Sequence, residues 1–461
     1  MSFPAPILPI VGPIIAAVIL LLFSRWPRVQ TLLGIAAALI LAYSTANIPL
    51  DSGPSSRGTD LFSGSTWLLA GRPLTISEGL RDLFVFFFIA LGLLFIISFY
   101  NSQGSSFVPA GLAAISPLAA ALMVQLFAFG AILLVITVTL LVMTYSPIIR
   151  HKTQGSLRYL LFFVLALAPL LLAGWLFESG QAALYSPLII TMLAVAFAII
   201  LAGFPFYIWV YPIVAEAPFL VPALIFGLAQ TAVITFIFAL LQANPWLQES
   251  DQFQNWLSLS GAGTVLIAAL LVLTAGQWRF LLGHLLLLNM GMAVLTLTLP
   301  INAAWDIAFL FHLSRFGSLL LAGIALSFLQ RQGQNDTIAG SRGFAWRAPL
   351  TVALLAYSLF SLLGAPLTFG FPAQWAIITT FGQQSNLWLS VLLVLALSLS
   401  VYRVLRVLAR LIRKEKTEQS QLESGWQRVV LATLLIIAVL LALFPRPLLS
   451  FALAISTALS D

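Results

Sequence analysis

Apolar stretches about twenty residues long recur from one end of this chain to the other, and they leave few folds open. A hydrocarbon core of about 30 Å is crossed by about 20 residues of helix, and runs of that order lie at roughly 5–23, 28–47, 82–100, 107–124, 126–146, 157–177, 187–209, 218–242, 257–276, 280–299, 303–329, 348–379, 387–411 and 428–456. Lipid offers no partner to a bare backbone N–H or C=O, so each spanning segment must be a helix or a strand of a closed barrel. The runs are too long and too uniformly apolar for barrel strands, which alternate in polarity over about ten residues. The expected fold is therefore an all-α polytopic membrane protein of about fourteen transmembrane helices. With 61% hydrophobic and 8% charged residues among 461, a soluble globular domain is excluded. The polar segments near 48–81, 331–347 and 412–427 are too short to fold independently, which predicts a single domain over residues 1–461. The last of them, IRKEKTEQSQLESGWQ, reads as a solvated connector, with a partner-binding helix as the alternative.

Charge gives orientation. The start of the chain, MSFPAPILPIVG, has no basic residue before its apolar run and is expected to stay as the first span rather than to be cleaved. With the N-terminus outside, Arg25, Arg28, Arg150, Lys152, Arg158, Arg279, Arg331, Arg342, Arg347 and the run from Arg403 to Arg428 fall inside, and only Arg57, Arg72 and Arg81 fall outside. That asymmetry is what cytoplasmic loops require, so a multi-pass plasma (inner) membrane protein with cytoplasmic basic loops is predicted. The net charge of +7 then reflects orientation and contact with anionic lipid, not nucleic acid. Cysteine is absent, and His151, His284 and His312 are too scattered for haem or zinc, so no cofactor, metal, redox or catalytic centre is expected in this chain.

Two spans carry their own interruptions. Gly203 to Pro218 reads GFPFYIWVYPIVAEAP, and Pro205 just after Gly203 removes a backbone hydrogen bond inside an apolar segment. Ser361 to Trp375 reads SLLGAPLTFGFPAQW, with Gly364, Pro366, Gly370 and Pro372 breaking another. Paired breaks of this kind imply inverted repeats around an ion site near the midplane, here about 105–245 and 257–411, flanked by helices within 1–100 and 428–456.

These residues resemble the proton-antiporter-like family, the large membrane subunits of respiratory complex I, cation/proton antiporters and membrane-bound hydrogenases. The family's first broken helix reads approximately K-x-x-x-x-P-F-H-x-W, with an A-P dipeptide nine residues after the Trp. Pro205, Phe206, Trp209 and Pro218 keep that spacing, while Tyr207 replaces the His and Ile200 the Lys. The second block resembles S-L-A-G-x-P-x-T-x-G-F-x-G-K, rendered by Ser361, Leu362, Gly364, Pro366, Thr368, Gly370 and Phe371, with Gln374 at the Lys position. Between them Arg279 to Gly291, RFLLGHLLLLNMG, resembles K-R-L-L-A-Y-S-S-I-x-Q-M-G. The three blocks agree in order and distance over about residues 100–410.

The resemblance implies a proton path through a Glu on the fifth helix, a Lys on the seventh, a Lys or His on the eighth and a Lys or Glu on the twelfth. This chain departs at each. No Asp or Glu lies between Asp82 and Glu178, and the lysines, Lys152, Lys414 and Lys416, all lie in predicted loops. Ile200, Gln230 and Gln374 take the approximate places of the three bases. An amide can bond a helix or hold a water, but it cannot take and release a proton near neutral pH. The relay is expected to be lost or reduced.

A residual polar axis is left in His284, His312 and Arg315. His312 and Arg315 share a helical face, and His312 is either a titrating group or a histidine bonded to a carbonyl. Arg315 near mid-membrane costs at least about 2.5 kcal/mol if unpaired, so a neighbouring helix, an acid of another subunit or a lipid phosphate is expected to meet it. His284 reads as a packing histidine or a relay, Glu216 as a helix cap or a coupling residue, and Arg279 as a snorkelling anchor or a group that orients the break.

By resemblance the chain is a membrane-arm, antiporter-like subunit of a complex I-type NAD(P)H or ferredoxin:quinone oxidoreductase. Its A-P block without a following Thr-Pro, its length and the lack of a C-terminal lateral helix suggest the N-type subunit, acting mainly in structure and coupling. The alternatives are a subunit of a cation/proton antiporter or an ion or inorganic-carbon uptake complex, and the scaffold of a membrane-bound hydrogenase-type complex. The implied partners are other membrane subunits and lipid.

Overall fold

The computed structural model describes residues 4–50, 65–69, 71–144, 154–180, 182–331, 337–383, 386–413 and 422–460. Arg57, Arg150, His151, Lys152, Lys414 and Lys416 lie outside them. The described chain is helical almost throughout: α1 (Ile7–Leu22), α2 (Pro27–Ala46), α3 (Glu78–Tyr100), α4 (Phe107–Met123), α5 (Phe127–Val142), α6 (Gln154–Glu178), α7 (Ser186–Ile200), α8 (Val210–Glu216), α9 (Gln230–Ala243), α10 (Trp246–Glu249), α11 (Asp251–Thr274), α12 (Trp278–Thr296), α13 (Ile301–Arg331), α14 (Phe344–Arg347), α15 (Pro349–Leu362), α16 (Phe371–Gln383), α17 (Leu387–Ile412), α18 (Gly425–Leu443) and α19 (Arg446–Ser460). A π-helical turn, Ala223–Ala229, leads into α9. One antiparallel hairpin, β1 (Thr66–Leu69) with β2 (Arg72–Thr75), lies between α2 and α3.

Among the described residues nine helices are long and apolar enough to cross a membrane, and six more are apolar but shorter. The protein is an all-α multi-pass membrane protein. The apolar run at 428–456, expected as one span, forms two helices instead, because Pro445 has no N–H to continue α18 past Phe444.

The chain forms two compact units. In the first (Met1–Phe197, Leu228–Phe253 and Leu453–Asp461), α2 packs on α3, α1 on α4, and α5 on both α4 and α6. Phe84, Phe87, Phe88 and Phe95 of α3 are fully buried there, and Phe127 stacks on Phe236 at 5.1 Å. Ser77 caps α3 by accepting the Leu80 N–H, with Glu78 in the first turn where the helix dipole favours an acid. On α6, Leu157, Leu161, Val164 and Leu165 are exposed, a face that hydrocarbon covers at no cost.

The second unit (Ala198–Gly227 and Gln254–Ala452) is built around α12, in which every residue from Leu281 to Thr296 is buried. A helix apolar and buried all round is a bundle axis. It packs against α8, α13 and α15, while α13 also packs on α15 and α16. Gly291 of α12 lets α11 approach closely, since a Cβ there would stand 2.9 Å from the Val265 backbone nitrogen and 3.0 Å from the Gly261 carbonyl oxygen.

Among the described residues of the connector before α18, Glu423 differs from the solvated expectation. Glu423 is 4% exposed, and its Oε1 accepts both the backbone N–H and the hydroxyl of Thr351, each at 2.8 Å. The first turn of a helix has N–H groups without helical partners, and α15 begins at Pro349, so Glu423 fills that need from across the unit. Sequence patterning registers the charge of this residue but not the helix end that buries it. Glu423→Ala removes one acceptor from two buried donors and is expected to destabilise the unit by about 1–3 kcal/mol, measured by reversible unfolding in mixed micelles; an unchanged midpoint would contradict the capping role.

Candidate functional site

The first interrupted span runs from α7 through the turn at Leu201–Phe206 and a 3₁₀ turn at Tyr207–Trp209 into α8. Pro205, preceded by a cis peptide, cannot donate, and the backbone around it turns back on itself: the Gly203 N–H reaches the Ala198 carbonyl at 2.6 Å, and Ala202 takes a positive φ of 55°. The released groups find partners on α11. The Phe204 N–H donates to the Thr264 hydroxyl at 2.6 Å and lies 3.2 Å from the Ser260 carbonyl, while the Ser260 hydroxyl donates to the Phe204 carbonyl at 2.9 Å. The Trp209 indole closes the far side by donating to the Ile199 carbonyl at 3.1 Å. A side chain at Gly203 would collide with the Ser260 hydroxyl, so the close approach of α11 depends on that glycine. Ile200, at the end of α7, is 3% exposed and offers no polar atom to this turn. Ser260 and Thr264 were not singled out from sequence; the run SLSGAGT on α11, small residues alternating with hydroxyls, is the only signal they leave.

The second interruption separates α15 from α16. Its centre is the Leu362 carbonyl, freed where α15 stops, which accepts two amide donors: Asn289 Nδ2 from α12 at 2.8 Å and Gln374 Nε2 from α16 at 2.7 Å. Next to it the Ser361 hydroxyl lies 2.8 Å from the Ser318 hydroxyl, which itself donates to the Ser314 carbonyl, and accepts from the Gly370 N–H at 3.2 Å. Gly364 has a φ of +60°, and a Cβ there would stand 2.5 Å from Gln374 Oε1. A Cβ at Gly370 would strike the Ser361 carbonyl. Pro366, between them, is exposed. The break is therefore closed by hydroxyls and amides without a charge. Asn289 was missed from sequence because the carbonyl it serves lies 73 residues away.

Gln230, the first residue of α9, is 1% exposed and its Nε2 has no hydrogen-bond partner. It follows directly on the π turn, and the wider turn accommodates Phe316, which would lie 2.7 Å from a Cβ at Gly227. Gln230 belongs to the first unit and Gln374 to the second.

The residual charges fall into two groups in the second unit. Arg279 Nη1 donates to the carbonyls of Ala217 at 2.7 Å and Ala215 at 3.4 Å, and its guanidinium lies 3.9 Å over the Phe219 ring. Those carbonyls end α8, so a cation there also opposes the negative end of the helix dipole. Glu216 is the last residue of α8, at the same turn, and the cap on the carbonyls is Arg279. His284 stacks on Tyr211 at 5.6 Å, and its buried Nδ1 has no partner. His312 and Arg315 on α13 are 0% and 1% exposed. His312 Nδ1 lies 2.8 Å from the Ala308 carbonyl, and Arg315 Nη1 donates to the Met290 sulfur at 3.3 Å. His312 Nε2 and Arg315 Nε and Nη2 have no partner. Among the described residues the one salt bridge is Arg81–Asp82, so no carboxylate meets Arg315, and no group of three or more His, Asp or Glu gathers as a metal site would need.

Helices buried on all sides and two spans broken inside the bundle define a polytopic membrane bundle rather than a simple anchor. The chain belongs to the NADH:quinone oxidoreductase/Mrp antiporter transmembrane family, whose model matches residues 77–400. It is 28% identical over 275 residues to the NADH-quinone oxidoreductase subunit N of Ectopseudomonas mendocina, covering 56% of this chain and 54% of that relative. To the subunit N of Psychrobacter arcticus it is 24% identical over 323 residues, covering 64% and 65%. The chain thus spans about half to two thirds of the length of the curated relatives it matches. It superposes on a chain of the Mrp complex from a Dietzia species with a TM-score of 0.80 at 14% identity, covering 99% of this chain and 98% of that one. A chain of Thermus thermophilus respiratory complex I gives 0.70 at 20% identity, covering 99% of both. The archaeal membrane-bound sulfane sulfur reductase gives 0.78 at 16%, covering 99% and 98%. At these identities the likeness is one of fold.

The shared acceptor at Leu362 generates a test. Asn289→Ala or Gln374→Ala alone leaves that carbonyl one donor and is expected to cost about 1 kcal/mol, whereas the double variant leaves it bare and costs about 1–3 kcal/mol beyond the sum. A double-mutant cycle on unfolding in mixed micelles measures this, and strict additivity would show that the two amides do not serve the same group.

Proposed function

We propose that this chain is the N-type, antiporter-like subunit in the membrane arm of a complex I-type NAD(P)H or ferredoxin:quinone oxidoreductase, and that it works in structure and coupling rather than as a proton carrier. Membership of the family and the subunit N relatives support the assignment to that complex. One observation carries the passive role: at the second break the position that resembles a family lysine holds Gln374, whose amide is spent on the Leu362 carbonyl. An amide so placed is a strut, since it neither gains nor loses a proton near neutral pH. At the first break Ile200 is apolar and buried, and the backbone is held by Ser260 and Thr264.

In this reading the chain sits in the plasma (inner) membrane with its N-terminus outside and its basic loops in the cytoplasm. It seals the bilayer and passes displacement or electric field between neighbouring membrane subunits. It holds no cofactor of its own; the electron-transfer and quinone steps belong to other subunits, and the protons move through sister subunits.

Purification of the assembly from native membranes, followed by mass spectrometry, is expected to recover quinone-site and iron–sulfur subunits. Recovery of small antiporter subunits, or of a nickel-hydrogenase large subunit, would replace the assignment. For the passive role, Gln230→Ala and Gln374→Ala are expected to leave protons pumped per electron unchanged in the reconstituted assembly; loss of pumping by an intact assembly would overturn it. Ile200→Lys forces a cation into a buried apolar position and is expected to destabilise the bundle by at least about 2.5 kcal/mol.

A further inference from the structure

We propose that Arg315 and His312 form a binding site for one small inorganic anion of halide size inside the second unit. Arg315 is the fifteenth of the 31 residues of α13, a helix about 46 Å long, so it lies more than about 20 Å from either end. Its guanidinium stays protonated in any protein environment. At 1% exposure it is out of reach of a lipid phosphate or of a carboxylate on another subunit, the two external partners that a mid-membrane arginine would otherwise take. The countercharge must therefore be small enough to enter the bundle.

Among the described residues the chain supplies no ion-pair partner to it. The helices of this unit in most contact with α13, namely α12, α15 and α16, contain no Asp or Glu, and neither does the segment 219–227 that touches α13 at Phe316 and Gly323, with Glu216 three residues before it. The nearest carboxylate on α13 is Asp306, nine residues and about 13 Å away along the axis. The titratable groups on those elements are His284 and Arg279 on α12, Tyr357 on α15, and Asp306, His312 and Arg331 on α13 itself. Of these, Arg279 is engaged with the end of α8 and His284 with Tyr211.

The donor count sets the class of ligand. Arg315 spends Nη1 on a thioether, a weak acceptor, and leaves Nε–H and Nη2–H bare in a buried place. His312 lies three residues back on the same face, and because a carbonyl can only accept, its Nδ1 carries the hydrogen that meets Ala308. Nε2 is then a lone pair while the ring is neutral and a third donor when it is protonated. Ser314 and Ser318 add nothing, since their hydroxyls donate to the Phe311 and Ser314 carbonyls. Two donors, rising to three, suit a monatomic anion; phosphate or sulfate would leave most of its oxygens unserved among Phe311 and Met290. A water molecule satisfies the same N–H groups but leaves a whole positive charge uncompensated in low dielectric. A halide offsets that charge, and protonation of His312 lets the anion and a proton occupy the site together.

The test uses the native assembly exchanged into gluconate buffer and then titrated with bromide. One bromide anomalous peak beside Arg315, and a melting temperature that rises with bromide concentration as saturable binding to the folded state requires, are expected. Arg315→Met should remove both, and His312→Asn should weaken the bromide dependence and abolish its dependence on pH. Solvent density without an anomalous peak at saturating bromide, or a melting temperature equal in bromide and gluconate, would show that only water occupies the site. A bromide effect retained in Arg315→Met would also overturn the proposal. If Arg315→Met does not assemble, the wild-type anomalous map decides.

Discussion

An α-helix that stops inside hydrocarbon leaves backbone groups that lipid cannot serve, and the arrangement of the second unit follows from how they are served here. Each bare buried group costs about 1–3 kcal/mol, and more in apolar surroundings than in water. At the first break the Phe204 N–H and C=O both go to hydroxyl-bearing residues of α11, and at the second the Leu362 carbonyl takes two amides. These partners fix geometry. Ser260 can reach Phe204 only because Gly203 has no side chain, and Gln374 reaches Leu362 only beside the left-handed turn at Gly364. The glycines and the polar partners form single devices, and neither half is useful alone.

The composition of these devices separates a rigid break from one that carries ions. A lysine or glutamate at a helix interruption has a charge that must be solvated, so its surroundings stay polar enough to admit water. An amide or hydroxyl that donates to one carbonyl is satisfied where it stands and lets the bundle close around it. Ser318, Ser361, Asn289 and Ile200 are all buried. Two of these amides keep a bare buried atom: Gln230 its Nε2, directly after a π turn, and Gln374 its Oε1.

The spans and both interruptions were legible in the sequence because their causes are local: twenty apolar residues suffice to predict a crossing, and Pro205 or the Gly364–Pro366–Gly370 cluster suffices to predict that a helix stops. What closes each break was not legible. The Ser260 hydroxyl serves a carbonyl 56 residues away and Asn289 one 73 residues away, and one hydroxyl or amide within an apolar helix does not reveal which neighbour its face meets. Glu423 read as solvated because its neighbours in sequence are charged, whereas its surroundings in space are the start of α15. Arg279 read as an interfacial anchor or a group that orients the break, and the helix end that it caps is written 62 residues earlier. The π turn before Gln230 has no sequence mark beyond Gly227.

The two buried arginines of the second unit show how far such accounting goes. Arg279 and Arg315 lie on neighbouring helices, and both are nine-tenths buried or more. Arg279 is matched by two carbonyls, an aromatic face and a helix dipole, so its charge is absorbed by the fold that it supports. Arg315 has a sulfur and a distant ring, so its charge acts outward. A fixed positive charge at mid-depth repels a second cation 10 Å away by about 1.7 kcal/mol at an effective dielectric of 20, which opposes passage of a hydrated proton along the axis. The charge of Arg315 thus stands in a unit whose two interruptions are closed by neutral groups. An anion held at Arg315 weakens that field, so its occupancy controls an electrostatic barrier that the bundle's neutral struts cannot change.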